Sequence, residues 1–285
     1  MKLKRADLTY LPEILETKAK HLADCARICY ASSGDNDNAL YNNLWKNGHR
    51  SCYRHLSHYF IIPVADVKAD YEFGNMVRNF FNIPYISIAS NKINYYISTN
   101  EQFIREHPVV YSAIIDYEVA PIVAHRTDEF IQSGVLRYSF VISTGIDITR
   151  ELNRVSPNNI CEQSTRYVDF NKKIGICFKK SHWMHKVDAT SLYKKLLYKF
   201  MCKVDEWFYK ISRSKYGLNL KPEDARWCLF LDTCSKAVYT YSFNEWKHII
   251  DLRYHGTTGK PHPDAYAIGK ALYDWFYLTG YKDKL

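Results

Sequence analysis

Residues 147–167 read DITRELNRVSPNNICEQSTRY. The stretch gathers Arg150, Arg154 and Arg166 around two acids, Glu151 and Glu162, with Asn, Ser, Thr and Gln between them. Guanidiniums set among small hydrogen-bonding side chains form an anion-binding vocabulary. Asp147 or Thr149 is placed to cap a helix carrying Arg150, Glu151 and Arg154, and Pro157 stops it. Glu151 and Arg154, three residues apart, then share a helix face. Asn158 and Asn159 read as a turn, and 160–167 as a returning strand or loop whose alternation puts Glu162, Ser164 and Arg166 on one side. A phosphate held there would meet a bidentate Arg166, the Ser164 hydroxyl and backbone N–H groups, each charge-assisted bond contributing roughly 1.5–3 kcal/mol. By composition alone, the plainer reading holds the advantage: a solvated surface helix with ion pairs.

What turns the balance is a resemblance. The stretch resembles the signature of flavin-dependent thymidylate synthases, R-H-R-x-x-S-x-N-E-x-S-x-R-Y, entered through a helix of the T/S-H-E-L-V type. Aligned without a gap, Arg154, Glu162, Ser164, Arg166 and Tyr167 match, as do Thr149, Glu151 and Leu152 of the lead-in. Val155 and Ser156 stand where the family has His and the second Arg, Asn159 replaces the first Ser, and Cys161 replaces Asn. Upstream, Ala26 and Arg27 fit the family's A-R-x-S helix, and Gly48, His49, Ser51 and His55 fit its G-H-x-S/T-x-x-x-H segment. Downstream, Ala225, Arg226 and Leu229 fit A-R-x-x-L-P, with Phe230 in place of Pro. Trp246, His248, Asp251, Leu252 and Arg253 fit D-W-x-H-F-F-D-L-R, and residues 256–265 fit G-T-T-G-x-P-H-P-x-A almost throughout. GTTGK is not a phosphate loop, because Tyr254 stands where a Walker motif needs Gly and Pro261 where it needs Ser or Thr.

The resemblance implies reductive methylation of dUMP to dTMP, with methylenetetrahydrofolate as carbon donor and FAD, reduced by NADPH, as hydride source. It assigns Glu151, Arg154, Gln163, Ser164, Thr165, Arg166, Arg226 and Arg253 to dUMP. Arg253 is the catalytic candidate, stabilising negative charge on N3 and O4 of the uracil without changing its own protonation. Ser51, Arg154, Glu162, Ser242, Asn244 and His248 fall to FAD, while His49 and Tyr167 lie near the folate. No metal is called for and no cysteine nucleophile is needed. A homotetramer with FAD sites shared between subunits is implied as well. The altered Val155, Ser156 and Asn159 keep two alternatives in view: a sister flavin and folate enzyme acting on another pyrimidine nucleotide or making a hydroxymethyl product, and a non-catalytic homologue binding nucleotide or RNA.

The chain has 285 residues, long enough to bury a full core, with 47% hydrophobic and 24% charged residues. Its net charge of +9 favours anionic partners, but no run of five basic residues occurs, which argues against a dedicated nucleic-acid tail. The 24 tyrosines offer flat rings for stacking on flavin, pterin or base, although core packing is the commoner use. The eight cysteines follow no disulfide or zinc spacing. MKLKRADLTYL at the start lacks the apolar core of a signal peptide, and no apolar run reaches membrane-spanning length, so the expected setting is reducing, soluble and cytoplasmic.

Along the chain, Pro12 reads as a helix start, with Ile14, Leu15, Lys18, Leu22, Cys25, Ile28 and Cys29 at helical spacing. Residues 40–46 make a second helix, and 48–64 lead into a strand. Residues 65–134 are extra relative to shorter family members. Within them 85–99 alternates as a hairpin around Ser90 and Asn91, and Asn100 or Glu101 opens a short helix. Residues 135–144 read as a strand. From 189 to 212 the chain is strongly helical, with Tyr193, Leu197, Phe200, Val204, Phe208 and Ile211 as a core or interface stripe. Pro222 starts a further helix. The expected fold is α+β, with helices packed on a mostly antiparallel central sheet, in a single domain carrying an insertion at about 65–134.

Overall fold

A computed structural model describes residues 2–13, 17–155, 157–185 and 187–285. Ile14 and Leu15 of the expected first helix, and Ser156 of the central stretch, lie outside the described residues. In chain order the strands are β1 (Lys2–Lys4), β2 (Asp7–Leu11), β3 (Ser57–Pro63), β4 (Ser87–Ser90) and β5 (Asn94–Asn100). They continue with β6 (Glu118–Val119), β7 (Arg137–Gly145), β8 (Ile160–Glu162), β9 (Cys177–Lys179) and β10 (Cys234–Ser242).

The fold is α+β, as its sequence suggests, but the antiparallel pairing is divided between two sheets. One runs β2-β7-β10-β8 and the other β4-β5-β3-β6, both wholly antiparallel, while β1 and β9 form a short parallel pair. Residues 65–134 supply β4, β5 and β6, and β3 comes from outside them. Buried contacts join the sheets: the Arg137 N–H donates to Tyr59 Oη at 3.2 Å, Arg137 Nε donates to Ser57 Oγ at 3.3 Å, and the Ser98 hydroxyl donates to Val135 O at 2.6 Å.

β7 and β10 are buried on both faces, and their side chains alternate between two cores. Tyr138, Phe140, Ile142, Ala237, Tyr239 and Tyr241 face the helices Phe243–Ile250 and Pro263–Phe276, where Trp246, Leu272 and Phe276 are fully buried. Val238 and Cys161 face the opposite way, onto Leu22, Cys25 and Ala26 of the helix Lys18–Tyr30 and Leu44 of the helix Asp37–Lys46. Removing a ring from such a site, as in Phe140→Ala, costs about 3–5 kcal/mol. Gly269 lets the helix Pro263–Phe276 lie directly on the chain at Arg253, since a Cβ there would come within 2.8 Å of the Arg253 carbonyl carbon.

Several sequence expectations are corrected. Pro12 does not open the first helix, which is Lys18–Tyr30, with the Thr17 side chain accepting the Lys20 N–H. Pro222 begins only the turn Pro222–Ala225, and the long helix expected beyond it is interrupted by β10. CSKAVYTYS is rich in β-branched and aromatic residues and pairs with β7 on one side and β8 on the other. The helix Ala189–Arg213 forms, but it buries Cys202, Asp205, Tyr209 and Ser212. The apolar stripe at Tyr193, Leu197, Phe200 and Phe208 is exposed on the single chain.

Candidate functional site

The central stretch folds differently from a capped helix ended by Pro157. The helix Ile146–Leu152 starts after Gly145 with no side-chain cap, because Asp147 is drawn to Lys179 at 2.5 Å and the Thr149 hydroxyl donates to Glu162 Oε1 at 2.9 Å. It closes at Asn153, so Arg154 lies beyond the helix and does not share a helical face with Glu151. Alternation holds through β8 and then gives way to a turn at 165–167. There Ser164 Oγ accepts the N–H groups of Arg166 (3.1 Å) and Tyr167 (3.3 Å). The Gln163 and Ser164 N–H groups are taken by Lys236 O and Cys29 O, both at 2.8 Å. The loop is therefore held rigidly, and its side chains rather than those amides are left for a ligand.

Those side chains line a cleft of about 760 Å³. Residues 162–167 line it together with Thr149, Arg150, Arg226 and Trp227. Arg226 Nη1 donates to Thr165 Oγ1 at 3.3 Å, and Arg166 Nη2 lies 3.4 Å from Glu223 Oε2. The Arg150 side chain has no ion pair among the described residues. Three guanidiniums facing one open hollow favour an anion of more than one charge.

A second cleft, of about 470 Å³, brings together Arg154, Ser242, Asn244 and His248. Val155 and Glu245 complete one side, and Phe81, Ile86, Ser87 and Ile88, all from 65–134, form the other. Ser242 is committed locally: it is the N-cap of the helix Phe243–Ile250, in a capping box with Glu245. The side chains of Arg154 and His248 have no hydrogen bond or ion pair among the described residues. A guanidinium and an imidazole beside an apolar wall suit a ligand with both a phosphate and a ring system, and in that respect the residues fit a flavin nucleotide.

The remaining assigned residues are spread around these clefts. Arg253 lines neither: its Nε and Nη2 donate to Glu151 O at 3.0 and 2.6 Å, and Nη1 lies 3.5 Å from Glu151 Oε2. Ser51 is exposed on the short helical segment Arg50–His55, and His49 precedes it. The His49 and Tyr167 rings both face Tyr30, at centroid distances of 6.4 and 5.9 Å. His55 is fully buried, with Nδ1 2.7 Å from Thr240 Oγ1, and burial pulls its pKa down to about 3. It is a neutral pin between that segment and β10.

Sequence reasoning passed over Trp227, Tyr30 and the wall of the second cleft. Trp227 follows Arg226 directly and is 64% exposed, an unusual place for so large a ring. Tyr30 closes the expected first helix. Phe81, Ile86 and Ile88 carry no motif, and only the fold brings them to Arg154.

The family model described as thymidylate synthase complementing protein matches residues 134–265. No curated protein matches the chain. Among solved structures the chain is similar to the UMP/dUMP methylase PolB from Streptomyces cacaoi bound with 5-Br dUMP. The identity is 12%, over 98% of this chain and 93% of that one, with a TM-score of 0.46. It is also similar to thymidylate synthase X from Helicobacter pylori with FAD and dUMP, at 16% identity over 64% of this chain and 90% of that one, with a TM-score of 0.38. Residues 134–265 hold the whole of the central stretch, Arg226, Arg253 and the GTTGKPHPDA segment, and over them the chain is similar to the thymidylate synthase complementing protein family.

Proposed function

We propose that the chain is a flavin-dependent thymidylate synthase, methylating dUMP at C5 with methylenetetrahydrofolate as carbon donor and FAD, reduced by NADPH, as redox cofactor. The observation that carries this reading is convergence. Arg226 lies sixty residues beyond Arg166 in sequence, yet both face one cleft with Gln163, Ser164 and Thr165. In this reading Arg166 and Arg226 clasp the nucleotide phosphate and Thr165 orients Arg226. Arg154 and His248 hold the flavin phosphates against the wall made by 65–134, with Ser242 and Asn244 around them, while Glu162, on the nucleotide cleft, and Ser51, outside both clefts, are assigned to the flavin by the resemblance alone. When bound, the flavin supplies the electrons that reduce the transferred carbon. His49 and Tyr167, gathered at Tyr30, flank the folate.

Arg253 is assigned to the charge that develops on N3 and O4. Its two bonds to Glu151 O fix the guanidinium plane, and in this reading Nη1 exchanges its contact with the Glu151 carboxylate for the base. A homotetramer is supported by the helix Ala189–Arg213, whose exposed Leu192, Tyr193, Leu196, Phe200 and Trp207 form an apolar face that association would cover. The chain is read as one domain, with 65–134 as an insertion that walls the cofactor cleft, acting in the cytoplasm.

A second reading is favoured by Val155, which stands in the flavin cleft where the family signature has His. It is the same flavin and folate chemistry on another pyrimidine nucleotide, or with a hydroxymethyl product. One experiment decides among these and a non-catalytic homologue. The purified protein is given FAD, NADPH and methylenetetrahydrofolate with dUMP, UMP or dCMP, and the product is weighed. A flavin spectrum and dTMP from dUMP are expected. A product from another nucleotide selects the second reading, and failure to bind flavin at saturating FAD refutes both enzymatic ones.

A further inference from the structure

The GTTGKPHPDA segment leaves two residues that the proposed reaction does not use. His262 is the N-cap of the helix Pro263–Phe276 and Asp264 lies in its first turn, while His182 comes from the short helical turn His182–His185. His182 Nδ1 lies 3.6 Å and His262 Nδ1 4.0 Å from Asp264 Oδ2, and the two imidazoles meet edge to face with centroids 5.3 Å apart. One ligand atom from each of the three residues falls within 4.8 Å of the others.

We propose that His182, His262 and Asp264 bind one divalent transition-metal ion of zinc-like chemistry. Nitrogen and carboxylate ligands sit about 2.0–2.2 Å from zinc, which makes the edge of the tetrahedron about 3.3–3.6 Å. The three side chains are thus within a few tenths of an ångström of that arrangement on two edges. Two imidazoles and one carboxylate form a borderline donor set that suits zinc and leaves a fourth position to water.

Two further features point to a cation. The backbone N–H of His182 donates to Asp264 Oδ1 at 2.8 Å, so one carboxylate oxygen is fixed and the other, Oδ2, faces both imidazoles as well as Lys179 Nζ at 3.2 Å. Such an outer bond is the usual means of orienting a metal ligand. The surroundings are also short of positive charge. Asp147, Asp232 and Asp264 all surround Lys179, at 2.5, 3.4 and 3.2 Å, and Lys179 is the only lysine or arginine paired with any of them among the described residues. Lys179 and Asp264 are both more than nine-tenths buried. A single ammonium facing three carboxylates, of which Asp264 is buried and Asp147 and Asp232 half-buried, leaves negative charge for a second cation to offset. Lys179 keeps Asp147 and Asp232 when Asp264 turns to the ion. His262 Nδ1, which accepts the Asp264 N–H at 3.2 Å, turns its lone pair from that bond to the metal.

The test uses the full chain without a polyhistidine tag, stripped with chelator and titrated with zinc against a chromophoric competitor, then with cobalt(II). One equivalent of zinc is expected. His182→Ala and His262→Asn are each expected to weaken zinc binding at least tenfold, Asn being chosen because it still caps the helix. Melting of the metal-free proteins should be unchanged. Cobalt should give visible bands of a tetrahedral nitrogen and oxygen site without thiolate charge transfer. Zinc affinity that survives the double variant, a cobalt–thiolate band from the cysteines, or no uptake by the unaltered chain would each overturn the proposal. The readout does not depend on flavin or nucleotide, so it stands or falls apart from the proposed reaction.

Discussion

Arg226 Nη1 and Thr165 Oγ1 lie 3.3 Å apart, although 61 residues separate them in the chain. The contact joins the turn at 165–167 to the segment before β10 and sets the direction of a guanidinium that otherwise ends in solvent. If Arg226 and Arg166 bind a phosphate, each contributes a charge-assisted pair of roughly 1.5–3 kcal/mol. Arg226→Ala and Arg166→Ala are therefore expected to weaken dUMP binding about 10- to 150-fold. Thr165→Val, which only frees Arg226 to wander, should cost less than about tenfold. Calorimetric titration with dUMP checks all three, and a Thr165→Val loss as large as that of Arg226→Ala would mean the hydroxyl itself contacts the ligand.

Arg154 and His248 face the second cleft with no protein partner among the described residues. Arg154→Ala is expected to weaken FAD about tenfold or more while leaving the melting temperature of the flavin-free protein within the scatter of surface substitutions. Quenching of flavin fluorescence during titration measures the first quantity and a thermal melt the second. Equal loss of dUMP and FAD affinity would instead place Arg154 between the two ligands.

Cys177 and Cys234 face each other across β9 and β10, with Sγ atoms 3.3 Å apart. Hydrogen bonding from Cys234, helped by Lys4 and Lys2, brings the Cys177 pKa down to about 7, while the same bond pushes Cys234 up. Thiolate is the reactive form, so alkylation should begin at Cys177 and its rate should rise with pH, reaching half its maximum near pH 7. Peptide mapping after brief iodoacetamide treatment reads this directly. Buried Cys25, whose pKa is raised by burial, and Cys161, whose pKa is raised by its bond to Cys52 and by burial, should remain unlabelled.

Asp205 is 1% exposed on the inner face of the helix Ala189–Arg213, and burial raises its pKa to about 6 against an ordinary 3.8. A raised carboxyl pKa favours the fold below the unfolded value, and the benefit disappears as pH climbs through the folded value. Two pH units correspond to about 3 kcal/mol as an upper bound. Asp205→Asn should accordingly stabilise the protein by about 1–3 kcal/mol at pH 7 and by almost nothing at pH 3. Chemical denaturation at both pH values tests the sign, and destabilisation at pH 7 would show that the ionised form is needed.

What the sequence determined was local. Period-two alternation marked 135–144 and the 85–99 hairpin, and the apolar spacing of 189–212 marked a helix that forms almost to the residue. The resemblance, not spacing, singled out residues 162–167 and Arg226, which line one cleft, and Arg154, Ser242, Asn244 and His248, which line the other. Tertiary structure decided the rest. β10 lies in a stretch whose helical flanks dominate the pattern, and it is a strand because β7 and β8 offer it hydrogen bonds on both sides. The helix Ala189–Arg213 buries Tyr209 and Cys202 rather than its more apolar stripe, because Val168, Phe170 and Phe178 pack on that side. His182, 80 residues before His262, reaches Asp264 for a similar reason. Local spacing is set by the backbone repeat, whereas the choice of buried face and of distant partner depends on how the whole chain shares out its limited interior.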